Sequence, residues 1–322
     1  IPLAPAYIPP QCVKNALATL APSIALADVT HQVQTNSPIS ATSQIQVFQD
    51  MTHVVEQVYV YPDYNGKDWN AIKEKYRSKI QAGLDTEAFY QEMQAMISEL
   101  GDDHSNYLSP VDVKAENAEL KGTRSYVGVG IDGITDFDKQ NVVVVSTIPG
   151  SSAAHAGIRP HDSIIQVDGL PITKDLGNRL RGPECSVVVA KVQSPGAAPR
   201  DVMLMRYQVD GGVPIDARLV PTTDGAKIGY IFIPSFFDET IPPQIKAALN
   251  QFGKLDGLIL DLRLNGGGSS TVVYPILEFF TQGKLGKFVS RDEVHTLRIL
   301  PNPIQNSQKV PLIILVGQDT VS

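Results

Sequence analysis

The feature that most constrains this chain is a short apolar strand that runs directly into three consecutive glycines. Residues Leu258 to Leu262 are nearly all apolar, as in a strand buried on both faces of a parallel sheet. Gly266, Gly267 and Gly268 come next, and the residues from Ser270 to Phe280 are predicted to form a helix. A glycine-rich helix N-terminus aims unpaired backbone N–H groups at one point and can bind an anion. The turn is therefore suited to hold a phosphate or the oxyanion of an acyl-transfer intermediate.

The residues after the glycines favour the oxyanion over the phosphate. A phosphate-binding Walker loop requires Gly-Lys-Ser/Thr, whereas Gly268 is followed by Ser269 and Ser270 without a lysine. Glycines alone are also typical of a plain tight turn between strand and helix, and that interpretation stays open at this point. A second buried strand is predicted from Val310 to Val316, and it leads to the candidate nucleophile Ser322. Parallel strands place their carboxyl ends at one edge of a sheet, so we expect the turn and Ser322 to meet there.

The residues that form these two features resemble a known family. The motifs Asp261-Leu262-Arg263-Leu264-Asn265-Gly266-Gly267-Gly268 and Thr320-Val321-Ser322 are similar to those of the carboxyl-terminal processing peptidases, the tail-specific serine proteases of peptidase family S41 with a PDZ domain. The resemblance covers most of the chain and implies an α/β protease core of the crotonase/ClpP-like type. It also implies that Ser322 is the nucleophile and that Gly267 or Gly268 donates an N–H to the oxyanion.

The general base that the resemblance implies is not in the sequence. In the resembled family it is a lysine roughly two dozen residues beyond the serine, and the sequence stops before that position. A serine hydroxyl is a weak nucleophile until a base takes its proton. We therefore expect this to be the N-terminal part of a protease, truncated at the nucleophile and incomplete in its core, and the 322-residue chain to be inactive. A non-catalytic PDZ adaptor that binds peptides without cutting them is the alternative.

Residues from Ser125 to Val209 are predicted to form a small β module, because short strands alternate there with turn signals such as Pro149-Gly150. One stretch resembles the carboxylate-binding loop of PDZ domains, whose backbone amides bind the free carboxylate of a peptide. It consists of Tyr126, Val127, Gly128, Val129, Gly130 and Ile131. The segment from Pro149 to Ile158 and the strand from Asp162 to Val167 complete the PDZ pattern. We expect this module to bind protein or peptide substrates through their C-terminal tails.

The region that precedes this module is predicted to be helical. Apolar residues recur at helical spacing in three segments between Ile45 and Leu100. Asp68 and Thr86 are the predicted N-caps, and Gly101 is the predicted C-terminal stop. The fold class is therefore a mixture of α/β and β domains, with a leader and linker at 1–42, an N-terminal helical region at 43–120, a PDZ domain at 121–212 and a partial α/β protease core at 213–322.

Composition argues against some classes of function. A net charge of −7 and a pI near 5.4 argue against nucleic-acid binding, which normally requires clustered lysine and arginine. The two cysteines, Cys12 and Cys185, lie far apart and in different predicted regions, so neither a disulfide framework nor a cysteine metal site is expected. The six histidines occur singly, and we expect no metal and no other cofactor.

The first residues resemble a secretory signal. An apolar stretch from Ala16 to Ile24 is followed by Ala25-Leu26-Ala27, a small-residue cleavage pattern, and then by the polar Asp28. The stretch is too short to span a bilayer. We therefore expect export from the cytoplasm and a mature N-terminus near Asp28. The alternative is a disordered leader with an accidental apolar patch.

Overall fold

The computed structural model describes residues 7–13, 36–102, 104–173 and 179–321. The chain divides into two compact units. One comprises Gln32–Asn117 and Gly283–Ile299, and the other comprises Ile1–His31, Ala118–Gln282 and Leu300–Ser322. The expected leader cleavage site and Ser322 lie outside the described residues. Within the described ranges, no helix combines the length and the apolarity that crossing a membrane requires.

The first unit is built on the three helices that the sequence predicts. They are α1 (Ala41–Val58), α2 (Trp69–Gln81) and α3 (Thr86–Ser98), and α4 (Pro110–Leu120) leads out of the unit. Their apolar faces meet because residues three and four positions apart share one side of a helix. The buried side chains in this core are Phe48, Tyr59, Trp69, Ile72, Tyr76, Ile80, Phe89, Met93, Met96, Ile97 and Leu100.

The ends of these helices confirm two of the three predicted signals. The carboxylate of Asp68 accepts a hydrogen bond from the backbone of Ala71, as an N-cap does. Gly101 has a left-handed φ of 72°, which suits a helix stop. The N-cap predicted at Thr86 is wrong, because Asp85 accepts from Ala88 N at 2.9 Å and Thr86 is the first helical residue.

The second unit begins with the β module. Strand β1 (Ser125–Gly128) pairs with β8 (Tyr207–Asp210), and the main sheet has the order β2-β3-β4-β6-β7 with β5 beside β4. The other ranges are β2 (Ile131–Asp136), β3 (Asn141–Thr147), α5 (Ser152–His155), β4 (Ser163–Val167), β5 (Leu170–Pro171), β6 (Val187–Gln193) and β7 (Arg200–Met205). The apolar faces of these strands enclose a separate core around Val144, Ile164 and Leu204.

The α/β part of the second unit is a four-stranded sheet of order β14-β11-β10-β9, in which only β9 is antiparallel. In chain order its elements are β9 (Asp216–Val220), β10 (Ile228–Phe232), α6 (Ile241–Phe252), β11 (Gly257–Asp261) and α7 (Ser270–Phe280), then a hairpin of β12 (Gly283–Val289) and β13 (Val294–Ile299), and finally β14 (Leu312–Leu315). The strand before the glycines and the helix after them are confirmed. The hairpin, which was included in the expected core, groups with the helical unit instead.

Each face of this sheet is covered by a different layer. Helices α6 and α7 cover one face, where Ile231 and Leu260 are buried among their apolar side chains. On the other face Tyr230 and Phe232 form a cluster with Val145 of the β module. The β module therefore packs directly on the strands whose ends carry the candidate site.

The expectation that the two cysteines are unconnected is wrong. Residues 10–13 form a helical turn against the β module, and Cys12 is bonded to Cys185 across a sequence separation of 173 residues. Cys12 is buried, and Met205 and Tyr207 pack against it. The Cα atoms lie 5.4 Å apart, a distance that favours a disulfide and that sequence separation does not reveal.

Candidate active site

Strand β11 ends at Asp261, whose carboxylate is fully buried and accepts hydrogen bonds at both oxygens. Its Oδ1 accepts from Arg263 N at 3.1 Å and from Arg263 Nε at 2.9 Å. Its Oδ2 accepts from the hydroxyl of Tyr230 at 2.7 Å and from Arg263 Nη2 at 2.6 Å. Burial would raise the pKa of Asp261, but the hydrogen bonds from Arg263 and Tyr230 outweigh it and hold that pKa below its usual value. The carboxylate therefore fixes the start of the turn as an anion.

The turn itself is organised by the buried side chain of Asn265. Its Nδ2 donates to Ile233 O at 3.0 Å, and its Oδ1 accepts from Gly267 N at 2.8 Å. The segment after β10 pairs with the glycines, because Phe236 N donates to Gly267 O and Ser269 N donates to Phe236 O, both at 2.8 Å. One side-chain amide and one neighbouring backbone segment thus hold all three glycines in place.

The three glycines differ in their environments. Gly267 is buried, and its N–H is committed to Asn265, whereas Gly268 is exposed. None of the described residues accepts a hydrogen bond from Gly268 N–H. A Cβ atom at Gly268 would lie 2.1 Å from the backbone carbon of Phe236, while one at Gly266 would meet nothing within 4 Å. The close approach of two backbones therefore requires glycine at position 268.

The residues that precede Ser322 are bonded to the same turn. After β14 the chain turns at Gly317, whose N–H donates to Thr320 Oγ1 at 2.9 Å. The Thr320 hydroxyl donates to Leu262 O at 2.6 Å, and Val321 N donates to Asn265 O at 3.2 Å. Val321 is the last described residue, so Ser322, the predicted nucleophile, has no described position. The contacts of Thr320 and Tyr230 were not predicted, because they depend on the order of the strands in the sheet.

The predicted carboxylate-binding loop lies beside a cavity in the β module. Of its six residues, Tyr126, Val129, Gly130 and Ile131 line this cavity of about 200 Å³, and the other two do not. The rest of the lining, which the sequence did not single out, consists of Asp132, Gly133, Thr135, Val142, Leu180 and Arg181.

Some backbone groups of this loop are already hydrogen-bonded within the protein. Val129 N donates to Leu180 O at 3.2 Å, and Gly128 forms a bridge with Arg181. Gly130 has a φ of 80°, and a Cβ there would lie 2.1 Å from the Cβ of Ser151. The loop is therefore packed tightly against α5, and only part of it is open to a ligand.

Among the described residues, no group of three or more His, Cys, Asp or Glu side chains is placed to hold a metal ion. This region brings together the backbone N–H groups of the turn, the buried carboxylate of Asp261 with the exposed Arg263, and the segment that leads to Ser322.

Three family models match separate parts of the chain. Residues 227–322 match peptidase family S41, residues 117–176 match the PDZ domain, and residues 41–98 match the Tricorn protease C1 domain.

Several characterised relatives match over nearly the whole chain. A carboxyl-terminal-processing protease of Synechocystis is 26% identical over 94% of this chain and 71% of its own length. The chloroplastic carboxyl-terminal-processing peptidase 2 of Arabidopsis thaliana is 27% identical over 93% of this chain, which spans 60% of that relative. Among solved structures, the photosystem II D1 C-terminal processing protease has a TM-score of 0.54 and 26% identity, with 87% of this chain and 76% of that chain covered. The chain therefore contains a peptidase family S41 domain, a PDZ domain and a Tricorn protease C1 domain, and it is similar to the carboxyl-terminal-processing proteases.

Proposed function

We propose that this protein is a serine peptidase that cuts its substrates near their C-termini, with Ser322 as the nucleophile. The observation that carries the proposal is the pair of hydrogen bonds made by the two preceding residues. Thr320 Oγ1 donates to Leu262 O, and Val321 N donates to Asn265 O. These two bonds hold the segment that precedes Ser322 against the glycine turn, which supports Ser322 as the nucleophile.

We assign the oxyanion donor to Gly268 rather than to Gly267. The N–H of Gly267 is buried and already donates to Asn265 Oδ1. Gly268 is exposed, lies two residues before α7, and its N–H has no acceptor within the described ranges. A donor of this kind, fixed before the reaction begins, stabilises the negative charge that develops on a tetrahedral intermediate.

We propose that the general base is a lysine rather than a group of this turn. Arg263 is the cation at the turn, but it is committed to Asp261 and its guanidinium does not lose a proton in proteins. The resemblance to the processing peptidases implies a lysine beyond Ser322. A polypeptide of residues 1–322 alone is accordingly expected to bind peptides without turning them over.

The substrates are peptides or proteins, and we propose that the PDZ domain selects them by a free C-terminal carboxylate. The cavity beside Gly130 and Ile131 is lined by Arg181, whose guanidinium lies 4.5 Å from the ring centre of Tyr126. The guanidinium of Arg181 suits the carboxylate of a peptide tail, and the apolar side chains of Val129, Ile131 and Leu180 in the same lining suit an apolar last residue.

We also propose that the protein works outside the cytoplasm. The Cys12–Cys185 disulfide supports this location, because disulfides persist in oxidising compartments and are rare in the cytosol. Two of the related peptidases are named chloroplastic.

The test of catalysis is cleavage of an unfolded reporter protein with an apolar C-terminus by the natural full-length polypeptide. Ser322→Ala is expected to abolish cleavage, because it removes the hydroxyl that we propose as the nucleophile. Ser270→Ala is the matched control, since Ser270 is exposed at the start of α7 and should leave the rate unchanged. Full activity in Ser322→Ala would refute the assignment of the nucleophile.

Tail binding is tested separately in the Ser322→Ala protein, which keeps the PDZ domain and cannot consume the ligand. A peptide with a free C-terminus is expected to bind more tightly than the same peptide amidated, because amidation removes the anionic group. Equal affinity for the two peptides would contradict recognition of the carboxylate while leaving the peptidase assignment intact.

A further inference from the structure

One histidine of the PDZ domain reaches the buried carboxylate that starts the catalytic turn. His161 lies in the loop between α5 and β4, and its backbone is fixed on β3. His161 N donates to Val144 O, and Val144 N donates to Asp162 O, both at 2.8 Å. With a φ of 72°, the residue is held in the left-handed region, which is uncommon for any residue except glycine. The two hydrogen bonds keep His161 in this conformation, which indicates that the position of its side chain is constrained.

The side chain of His161 packs on the catalytic sheet. Its ring centre lies 5.3 Å from that of Phe232, which is the register partner of Asp261 in the neighbouring strand. Nε2 of His161 lies 3.9 Å from Asp261 Oδ2 and is sealed from solvent without a hydrogen-bond partner. A buried polar atom without a hydrogen-bond partner lowers the free energy of unfolding, so we expect this nitrogen to serve a function.

A proton on this nitrogen would lie 3.9 Å from Asp261 Oδ2, beyond hydrogen-bond distance, and no described residue accepts a hydrogen bond from it. Both oxygens of Asp261 are already occupied, by Tyr230 and by three groups of Arg263. Burial lowers the pKa of His161, and the nearby charge of Arg263 lowers it further, although Asp261, Asp216 and Asp162 oppose the shift. Arg218 and Arg159 are the other charged groups that line the cavity beside the ring.

We propose that His161 is a positioning residue whose neutral imidazole holds the PDZ loop against the Asp261–Gly268 turn and whose protonation releases it. This inference rests on the proposed function, since it concerns the turn that would carry the oxyanion. It makes the arrangement of the turn depend on pH through a residue that belongs to the substrate-binding domain.

The direction of the effect follows from linkage. Because the pKa of His161 in the packed loop lies below its usual value of 6.5, the packed state binds a proton less tightly than a detached loop does. Acidification below about pH 6.5 therefore favours the detached loop, by at most about tenfold per pH unit for one proton.

The test compares three variants of the full-length protein by hydrogen exchange at the backbone amides of the turn, from about pH 5 to about pH 8. His161→Gln keeps a neutral side chain of similar reach, and His161→Asn tolerates the left-handed backbone better. His155→Gln is the matched control, because His155 is exposed on α5 in the same domain and stacks on Tyr7 at 3.8 Å. Cleavage of the reporter protein is followed over the same pH range.

In the wild type and in His155→Gln, protection of the Asn265 and Gly267 amides is expected to fall as the pH drops below about 6.5, by up to about tenfold per unit. In the two His161 variants this extra dependence should disappear, and the acid side of the cleavage profile should become shallower by the same factor. Identical pH dependence of exchange in the wild type and both His161 variants would overturn the proposal. Because exchange needs no turnover, a complete lack of cleavage would count against the proposed function alone.

Discussion

Gly268→Ala separates a catalytic glycine turn from a plain one, and its effect can be worked out from the structure. An added Cβ would lie 2.1 Å, 2.3 Å and 2.4 Å from the carbon and oxygen of Phe236 and the nitrogen of Phe237, all of them backbone atoms. Real Cβ atoms essentially never come closer than 3.0 Å, so the two segments must separate. Separation breaks the bonds from Phe236 N to Gly267 O and from Ser269 N to Phe236 O.

The expected loss of stability combines two contributions. Two backbone hydrogen bonds contribute about 1 kcal/mol each. The φ of 151° at Gly268 adds about 1–3 kcal/mol of strain for a residue with a side chain. The free energy of unfolding should therefore fall by about 3–5 kcal/mol. Gly266→Ala is the matched control, because its Cβ would meet nothing within 4 Å, and its effect should stay within about 0.5 kcal/mol.

Urea unfolding followed by circular dichroism measures the change in the free energy of unfolding, and cleavage of the reporter protein measures the change in kcat. If Gly268 N–H is the oxyanion donor, displacing it should also lower kcat by about a hundredfold or more. Equal stability of the Gly268→Ala and Gly266→Ala proteins would refute the geometry. A destabilised Gly268→Ala protein that keeps its kcat would show that this glycine serves the fold alone.

Three further predictions concern other sites. Asn265→Ala should lower the free energy of unfolding by about 2–3 kcal/mol, measured by urea titration, because it leaves Ile233 O and Gly267 N buried without partners; a change below about 0.5 kcal/mol would contradict this. Burial would raise the pKa of Asp102, but the hydrogen bonds that its carboxylate accepts hold this pKa at about 2. The ionised carboxylate should therefore stabilise the fold above about pH 4, and this stabilisation should be lost as the pH falls from about 4 towards about 2. In Asp102→Asn the free energy of unfolding should depend less on pH over that range. Because Cys12 is bonded to Cys185, cleavage before Asp28 should release the leader only after reduction, as measured by intact mass; a shortened chain without reduction would contradict the disulfide and the support that it gives to export.

The parts of the fold that sequence reasoning recovered are those with strong local periodicity. The helices of the first unit repeat apolar residues with the helical period, and β11 is a continuous apolar run bounded by glycines. At the ends of helices, the local sequence does not decide which residue is the N-cap. Asp85 and Thr86 are both good N-caps, and the choice between them depends on Thr86 Oγ1, which accepts from Ile39 N at 3.2 Å.

Contacts between segments that are distant in the sequence could not be predicted from local patterns. The Cys12–Cys185 bond depends on the position of a short N-terminal turn against the β module, and nothing local to either cysteine reports it. The hairpin of β12 and β13 is tied to the helical unit through Arg291, whose guanidinium donates to the carbonyl oxygens of Glu56 and Tyr59. Such contacts follow from tertiary packing, which overrides the order of elements along the chain.

The glycine turn shows where the limit of sequence reasoning falls within the site itself. Three glycines in a row predict a backbone anion site, but they do not indicate which N–H is free. That choice is made by Asn265, whose Oδ1 takes the N–H of Gly267, and by Phe236, which pairs with the flanking atoms of Gly267 and Ser269. The N–H of Gly268 is left over, on the exposed side of the turn to which Val321 is bonded. If Gly268 N–H is the oxyanion donor, it is selected by the hydrogen bonds that occupy its neighbours, so a change at Asn265 should alter which N–H is free.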